Sequence, residues 1–237
     1  MQNIWTIIKK ELRSYFVSPV AYVVLAMYLV LAGYFFTVIL LYTKEASIGG
    51  ALYNIVVTLL FIIPLITMRL FAEERKLGTL EVLLTKPVRD IELVLGKFCA
   101  AALLFLGMLA TSFVYVIILF KYGNPEIGPI ISGYLAIFVV GLCFIALGTF
   151  ASTLSENQII AAIISFALVL GSWILNWVSG QLGTSQEGLL SYLSLSQHMN
   201  DFIKGLIDLK SLVYYLSFII FWLFLTYKSI GVRKWKQ

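Results

Sequence analysis

The chain has 237 residues, 61% of them hydrophobic and 12% charged, with a formal net charge of +5 and a mean hydropathy of +0.97. A soluble domain carries roughly 25% charged residues, so the composition excludes an ordinary soluble domain and points to a membrane protein. Two cysteines, Cys99 and Cys143, fall inside apolar runs, which suits apolar packing and speaks against a disulfide or metal site.

Residues 1–17 read as an amphipathic helix. Ile4, Trp5, Ile8, Leu12, Tyr15 and Phe16 share one face, and Lys9, Lys10 and Arg13 share the other. Such a helix lies in the headgroup plane. Ser18-Pro19 then breaks it and turns the chain into the membrane. The apolar run Val20–Tyr42 exceeds the roughly 7–15 residues of a signal-peptide core and ends without a small-x-small cleavage site, so it reads as a first span.

Charge is absent from Ser14–Thr43, Ala46–Met68, Phe98–Phe120, Ile127–Ser155, Asn157–Gln186 and Ser211–Tyr227. Crossing the hydrocarbon takes about 20 apolar residues. These intervals predict an all-α membrane protein with six transmembrane helices near 20–42, 52–68, 97–120, 131–153, 158–178 and 211–230. The last is completed by a snorkelling Lys228. The chain is expected to form a single transmembrane domain over 1–237: interfacial helix 1–17, spans one and two in 20–68, a polar segment 69–96, spans three to five in 97–178, an outer segment 179–210, span six in 211–230 and a tail 231–237.

Thirteen of the 17 Lys and Arg residues fall on the side that holds both termini, and Lys44, Lys121, Lys204 and Lys210 fall on the other. The positive-inside rule then makes the termini and segment 69–96 cytoplasmic. The basic excess reports topology and anionic lipid, with no need of nucleic acid. In the outer segment, Ser196–Leu209 places Met199, Phe202, Ile203, Leu206 and Ile207 on one face, a short helix at or dipping into the outer interface. Small residues recur at Gly148/Ser152, Ala161/Ser165 and Ala167/Gly171, spacings that allow close helix approach.

No Asp, Glu, His, Lys or Arg is expected inside a span, with Lys97 read as a flank. Proton- and ion-coupled carriers use such groups as relays, so their absence argues against one. Phosphate-loop, H-E-x-x-H and Cys/His metal spacings are missing, and the one histidine, His198, has no evident partner. An active site within this chain is therefore not expected, and neither is a metal.

The polar segment holds the remaining chemistry. Glu73, Glu74, Arg75 and Lys76 alternate in sign over one turn, within reach of Arg13 or Lys10. Gly78 ends any helix running on from span two. Thr79 is an acceptable N-cap for a second short helix, with Glu81 in its first turn. Leu80, Leu83 and Leu84 form an apolar stripe, and Pro87 stops the helix. Two turns span about 12 Å and are not stable alone, so the stripe either docks on a partner or the segment is a solvated loop.

The run EERKLGTLEVLLTKPVRDIELVLGKF, residues 73–98, resembles the first cytoplasmic loop of ABC-2-type transporter permeases, with the pattern E-x-R-x-x-G-T-L-E-x-L-L-x-x-P. The run YLSLSQHMNDFIKGLIDLKSLVYYLSF, residues 192–218, is similar to the corresponding region of the gliding-motility-associated branch, which itself resembles permeases of copper-enzyme maturation systems. The resemblance covers the whole chain. It implies an ATP-driven transporter, an exporter in this reading, built from two identical or homologous permeases in the bacterial cytoplasmic membrane. Two separate cytoplasmic ABC ATPase subunits would bind ATP and Mg, and this chain would bind no cofactor. An auxiliary membrane subunit with an outer domain would be a further partner.

By the same resemblance, Gly78–Pro87 is the coupling helix that seats on the ATPase, and Glu73, Glu74 and Arg75, with Arg13, form a charged relay. The substrate path would run along spans two and five past Asn54, Thr58, Thr67, Ser165, Ser172 and Asn176, positions that packing explains equally well. The alternatives are a mechanotransmitter, a membrane anchor for an outer complex, or an ATP-independent channel or carrier.

Overall fold

A computed structural model describes residues 2–43, 49–79, 88–123, 125–182 and 192–234, and the described residues form ten helices. α1 spans Gln2–Val17, and α2, starting at Pro19, runs to Thr43. α3 is Gly49–Thr67 and α4 is Arg69–Lys76. α5, Asp90–Thr111, is followed by α6, Phe113–Tyr122. α7 is Ile127–Leu154 and α8 is Gln158–Leu182. α9, Leu195–Ile203, precedes α10, Leu209–Lys234. Among the described residues, six helical stretches are long and apolar enough to cross a membrane: Pro19–Tyr42, Gly49–Lys76, Asp90–Tyr122, Ile127–Leu154, Gln158–Trp177 and Leu209–Val232.

The core sits around α7, which packs against α3, α4, α5, α8, α9 and α10. Glycine allows that crowding. A Cβ on Gly133 would collide with Leu52 of α3, and one on Gly141 with the Phe105 ring of α5. A Cβ on Gly148 would lie 2.7 Å from Thr67 Cβ and 2.9 Å from Ser165 Oγ. Small residues thus bring backbones together where the surrounding solvent is as apolar as leucine. The Gly148/Ser152 pair serves contacts within this chain.

The spans are longer at one end than the charge-free intervals imply. Span two continues as α4 to Lys76, and span three begins at Asp90, so helix reaches into the segment read as a connector. The charged residues that closed those intervals are held by partners on other helices, which removes the reason for the helices to stop. Span three is also jointed at Ser112, whose hydroxyl turns onto Leu109 O at 2.7 Å.

At one end of the bundle Lys10 meets Glu74, Arg75 meets Thr153 O, and Thr153 meets Ser229. α1, α4 and the ends of α7 and α10 therefore lie together, and this is the termini end. At the opposite end α9 is pinned into the bundle. Ser132 donates to Phe202 O at 2.6 Å, and Ser194 and Ser196 both reach Trp173 O. α9 stops at Ile203, shorter than the expected Ser196–Leu209, because Gly205 takes φ 90°. Leu206 and Ile207 are consequently exposed and do not extend its apolar face. His198 has partners after all. Its Nδ1 lies 3.1 Å from Ser211 Oγ, its Nε2 lies 2.9 Å from Tyr192 O, and its ring stacks on Tyr214 at 4.4 Å.

Candidate functional site: a charged junction at the termini end

α4 is amphipathic over only eight residues. Leu70, Phe71 and Ala72 are buried against the bundle, while Glu73, Glu74 and Arg75 lie at its margin. Arg75 and Lys76 in the last turn suit the negative end of the helix dipole. Gly78, at φ 66°, then terminates it in the left-handed conformation that glycine adopts without strain. The Thr79 hydroxyl turns back onto Glu74 O at 3.2 Å. Leu80, Glu81, Leu83, Leu84 and Pro87 lie outside the described residues.

Three sets of polar contacts fasten α4 to other helices. The first centres on Lys97 of α5, which is 1% exposed. Its Nζ lies 2.9 Å from Glu11 Oε1 of α1, donates to Leu70 O of α4, and sits 5.1 Å from the centre of the Phe71 ring. Glu74 Oε2 is also 2.9 Å from Lys97 Nζ, at ion-pair distance but without hydrogen-bond geometry. Lys10 donates to the other Glu74 oxygen. Two cations and two carboxylates make a neutral cluster joining α1, α4 and α5. Burial alone would pull the Lys10 ammonium down, but Glu74 and then Glu11 hold it above the ordinary lysine value.

The second set is Arg69, whose guanidinium grips Glu73 with two nitrogens at 2.8 and 3.0 Å and reaches Ser18 Oγ at 2.8 Å. That contact ties α4 to the corner between α1 and α2. The third is Arg75, which donates to Thr153 O at 2.9 Å and to Glu156 at 2.7 Å. It ties α4 to the connection between spans four and five. The end of α5 carries a further contact to α1, from Asn3 to Glu92 Oε2 at 3.1 Å, and the same oxygen accepts the Arg89 N–H at 3.0 Å.

These pairings revise the expected relay. Glu73, Glu74 and Arg75 are each engaged, but Arg13 is exposed and joins none of the described ion pairs. It projects from the outward face of α1 with Lys9, while Lys10 and Glu11 turn toward the bundle. The apolar face of α1 divides as well: Ile7, Ile8 and Tyr15 are buried, while Trp5 and Phe16 stay exposed. Lys97 overturns the expectation that no charge is buried within a span. Sequence reading missed Lys97, Glu11 and Glu156. The available signal was Glu11, a carboxylate one turn from both Ile7 and Tyr15 on the apolar face, which demands a buried cation.

The proposed substrate-path residues use their polar groups locally. Asn54 donates to Gly50 O, Thr58 to Asn54 O, Thr67 to Ile63 O and Ser172 to Val169 O, all within their own helices. Ser165 Oγ is fully buried and has no hydrogen-bond partner among the described residues. Asn176 is half-buried on α8. Spans two and five do adjoin, through Tyr53 on Trp173 and Phe61 on Phe166 with ring centres 5.7 and 5.0 Å apart.

A family model described as ABC-2 family transporter protein matches residues 5–220. Among curated proteins, no relative matches the chain.

Proposed function

The chain belongs to the ABC-2 family of transporter proteins, a multi-pass permease subunit of an ABC transporter, and from that premise we propose that separate cytoplasmic ATPases drive it through residues 78–87. In this reading the Gly78–Pro87 segment seats on the ATPase, with Leu80, Leu83 and Leu84 filling a groove on that partner. ATP and Mg are bound there. A second permease, identical or homologous, completes the pathway, with both termini in the bacterial cytoplasm, a placement the lysine and arginine distribution supports.

The supporting observation is the position of α4. It ends immediately before the proposed docking segment and is fastened by charged contacts to α1, α5 and the α7–α8 connection. A displacement of residues 78–87 is therefore delivered to spans two, three and four together. Coupling then consists of nucleotide biasing two arrangements of the bundle.

Export, membership of the gliding-motility-associated or copper-maturation-like branch, and an auxiliary membrane partner extend the same reading. A path along spans two and five lined by Asn54, Thr58, Ser165, Ser172 and Asn176 fits an amphiphilic or lipid-linked cargo better than a small ion.

Leu84→Asp tests the docking. Burying a leucine is worth about 1.5–3 kcal/mol, so the variant is expected to bind its copurifying ATPase about 10- to 100-fold more weakly. Retained ATPase whose hydrolysis still responds to the permease contradicts the proposal.

A further inference from the structure

Span two changes its hydrogen-bonding partners at Met68. α3 ends at Thr67 and α4 begins at Arg69, yet Met68 keeps helical angles, φ −55° and ψ −29°, and its N–H still bonds Pro64 O at 2.9 Å. The axis therefore continues while the hydrogen-bond ladder does not. The Phe71 N–H donates to Ser152 Oγ of α7 at 2.8 Å, and the Ala72 N–H to the same oxygen at 3.2 Å. The Ser152 hydroxyl is directed at Met68 O at 3.4 Å. Tyr15 of α1 donates to Ile66 O at 2.8 Å, and Lys97 of α5 donates to Leu70 O. Within Ile66–Ala72, five backbone groups are thus addressed by side chains from three other helices.

The Phe71 N–H bond carries the most information. A carbonyl accepts two hydrogen bonds, so Tyr15 and Lys97 can bond carbonyls without displacing anything. An amide has one hydrogen, so the Phe71 bond to Ser152 replaces the one it would give to Thr67 O, whereas Ala72, four residues after the N-cap Met68, keeps its place in the ladder of α4 and only leans on Ser152. Ser152 is fully buried, and Gly148 one turn away brings α7 close enough for its hydroxyl to reach. Exchanging one hydrogen bond for another of the same kind costs little net free energy. The alternative to the observed arrangement is an unbroken helix with the Phe71 amide on Thr67 O.

We propose that Ser152 is a positioning residue for coupling, holding the start of α4 at a hinge about Met68 so that α4 swings against α3. The inference rests on the reading that force enters through residues 78–87. It adds the place where that force bends the chain and the side chain that holds the bend. Pro64, one turn before Met68, cannot bond Leu60 O and so loosens the turn just ahead of this stretch.

Spin labels at Phe61, exposed on α3, and Lys76, exposed on α4, read the hinge. Fifteen residues of helix place them about 22 Å apart, and Cys99 and Cys143 are replaced beforehand. In nanodiscs without an ATPase, Ser152→Ala returns the Phe71 amide to its own helix and is expected to move the inter-label distance to a new single population. Ser152→Thr, which keeps the hydroxyl, is expected to retain the wild-type distance. Superimposable distributions for all three chains overturn the proposal.

Should Ser152→Ala not assemble, the wild-type chain decides. With its ATPase bound, vanadate-trapped ATP is expected to shift the same distance. An unmoved distance with ATPase bound overturns the hinge and leaves the docking reading intact. A chain that captures no ATPase overturns the docking reading and, where Ser152→Ala does not assemble, the coupling role proposed for Ser152 with it.

Discussion

Lys97→Met is expected to be among the most damaging single substitutions in the chain, costing about 3–5 kcal/mol, the usual penalty for removing one partner from a buried ion pair. Lys97 is 1% exposed and sits between the carboxylates of Glu11 and Glu74. Methionine fills nearly the same volume, so packing loss is a minor part of the effect. What remains is Lys10 facing two carboxylates, a cluster that changes from neutral to −1. Adding Glu11→Gln restores neutrality and is expected to recover part of the thermal midpoint, followed by tryptophan fluorescence in detergent. A double variant less stable than the sum of the two single ones contradicts the electrostatic explanation. The same substitutions separate stability from coupling: the neutral double variant is expected to fold but lacks the Lys97–Glu11 tie between α1 and α5, so its ATPase stimulation is expected to fall.

Gly148→Ala is expected to destabilise by about 1–3 kcal/mol, the range for overpacking a well-filled core. The new methyl meets the β-branched Thr67 at 2.7 Å from its Cβ, and the buried Ser165 hydroxyl at 2.9 Å. Neither atom is the end of a long flexible side chain, so spans two and four must separate. Gly171→Ala is the control. No atom lies within 4 Å of its Cβ, and alanine gains about 0.5–1 kcal/mol over glycine in a helix. Opposite signs for the two substitutions in one thermal series confirm that close approach fixes Gly148. Equal effects would show that helix propensity alone governs both positions.

Much of the fold was legible because the membrane imposes a one-dimensional rule: a charge-free interval of sufficient length is a span. That rule located all six, and it misplaced the ends where charges are neutralised by distant partners. Lys97 borders an apolar run, so linear reading made it a flank; its partner Glu11 lies 86 positions earlier. α4 looked like a connector because Glu73, Glu74, Arg75 and Lys76 are polar in sequence, though they cap a continuing span in space. Arg13 and Lys10 looked equivalent for meeting Glu74, and only the rotation of α1 against α5 separates them. Gly148 and Ser152 were visible as a small-residue pair. What they do, one making room and the other accepting from the amides of Phe71 and Ala72, depends on which helix lies opposite.

Photo-crosslinking from position 83 tests the central claim most directly. A diazirine amino acid replaces Leu83 in the membrane-assembled complex, and the adduct is identified by mass spectrometry. The account predicts a crosslink to a nucleotide-binding polypeptide that is lost in the Leu84→Asp background. Adducts confined to lipid, or to this chain's own helices while the ATPase is bound, would contradict it.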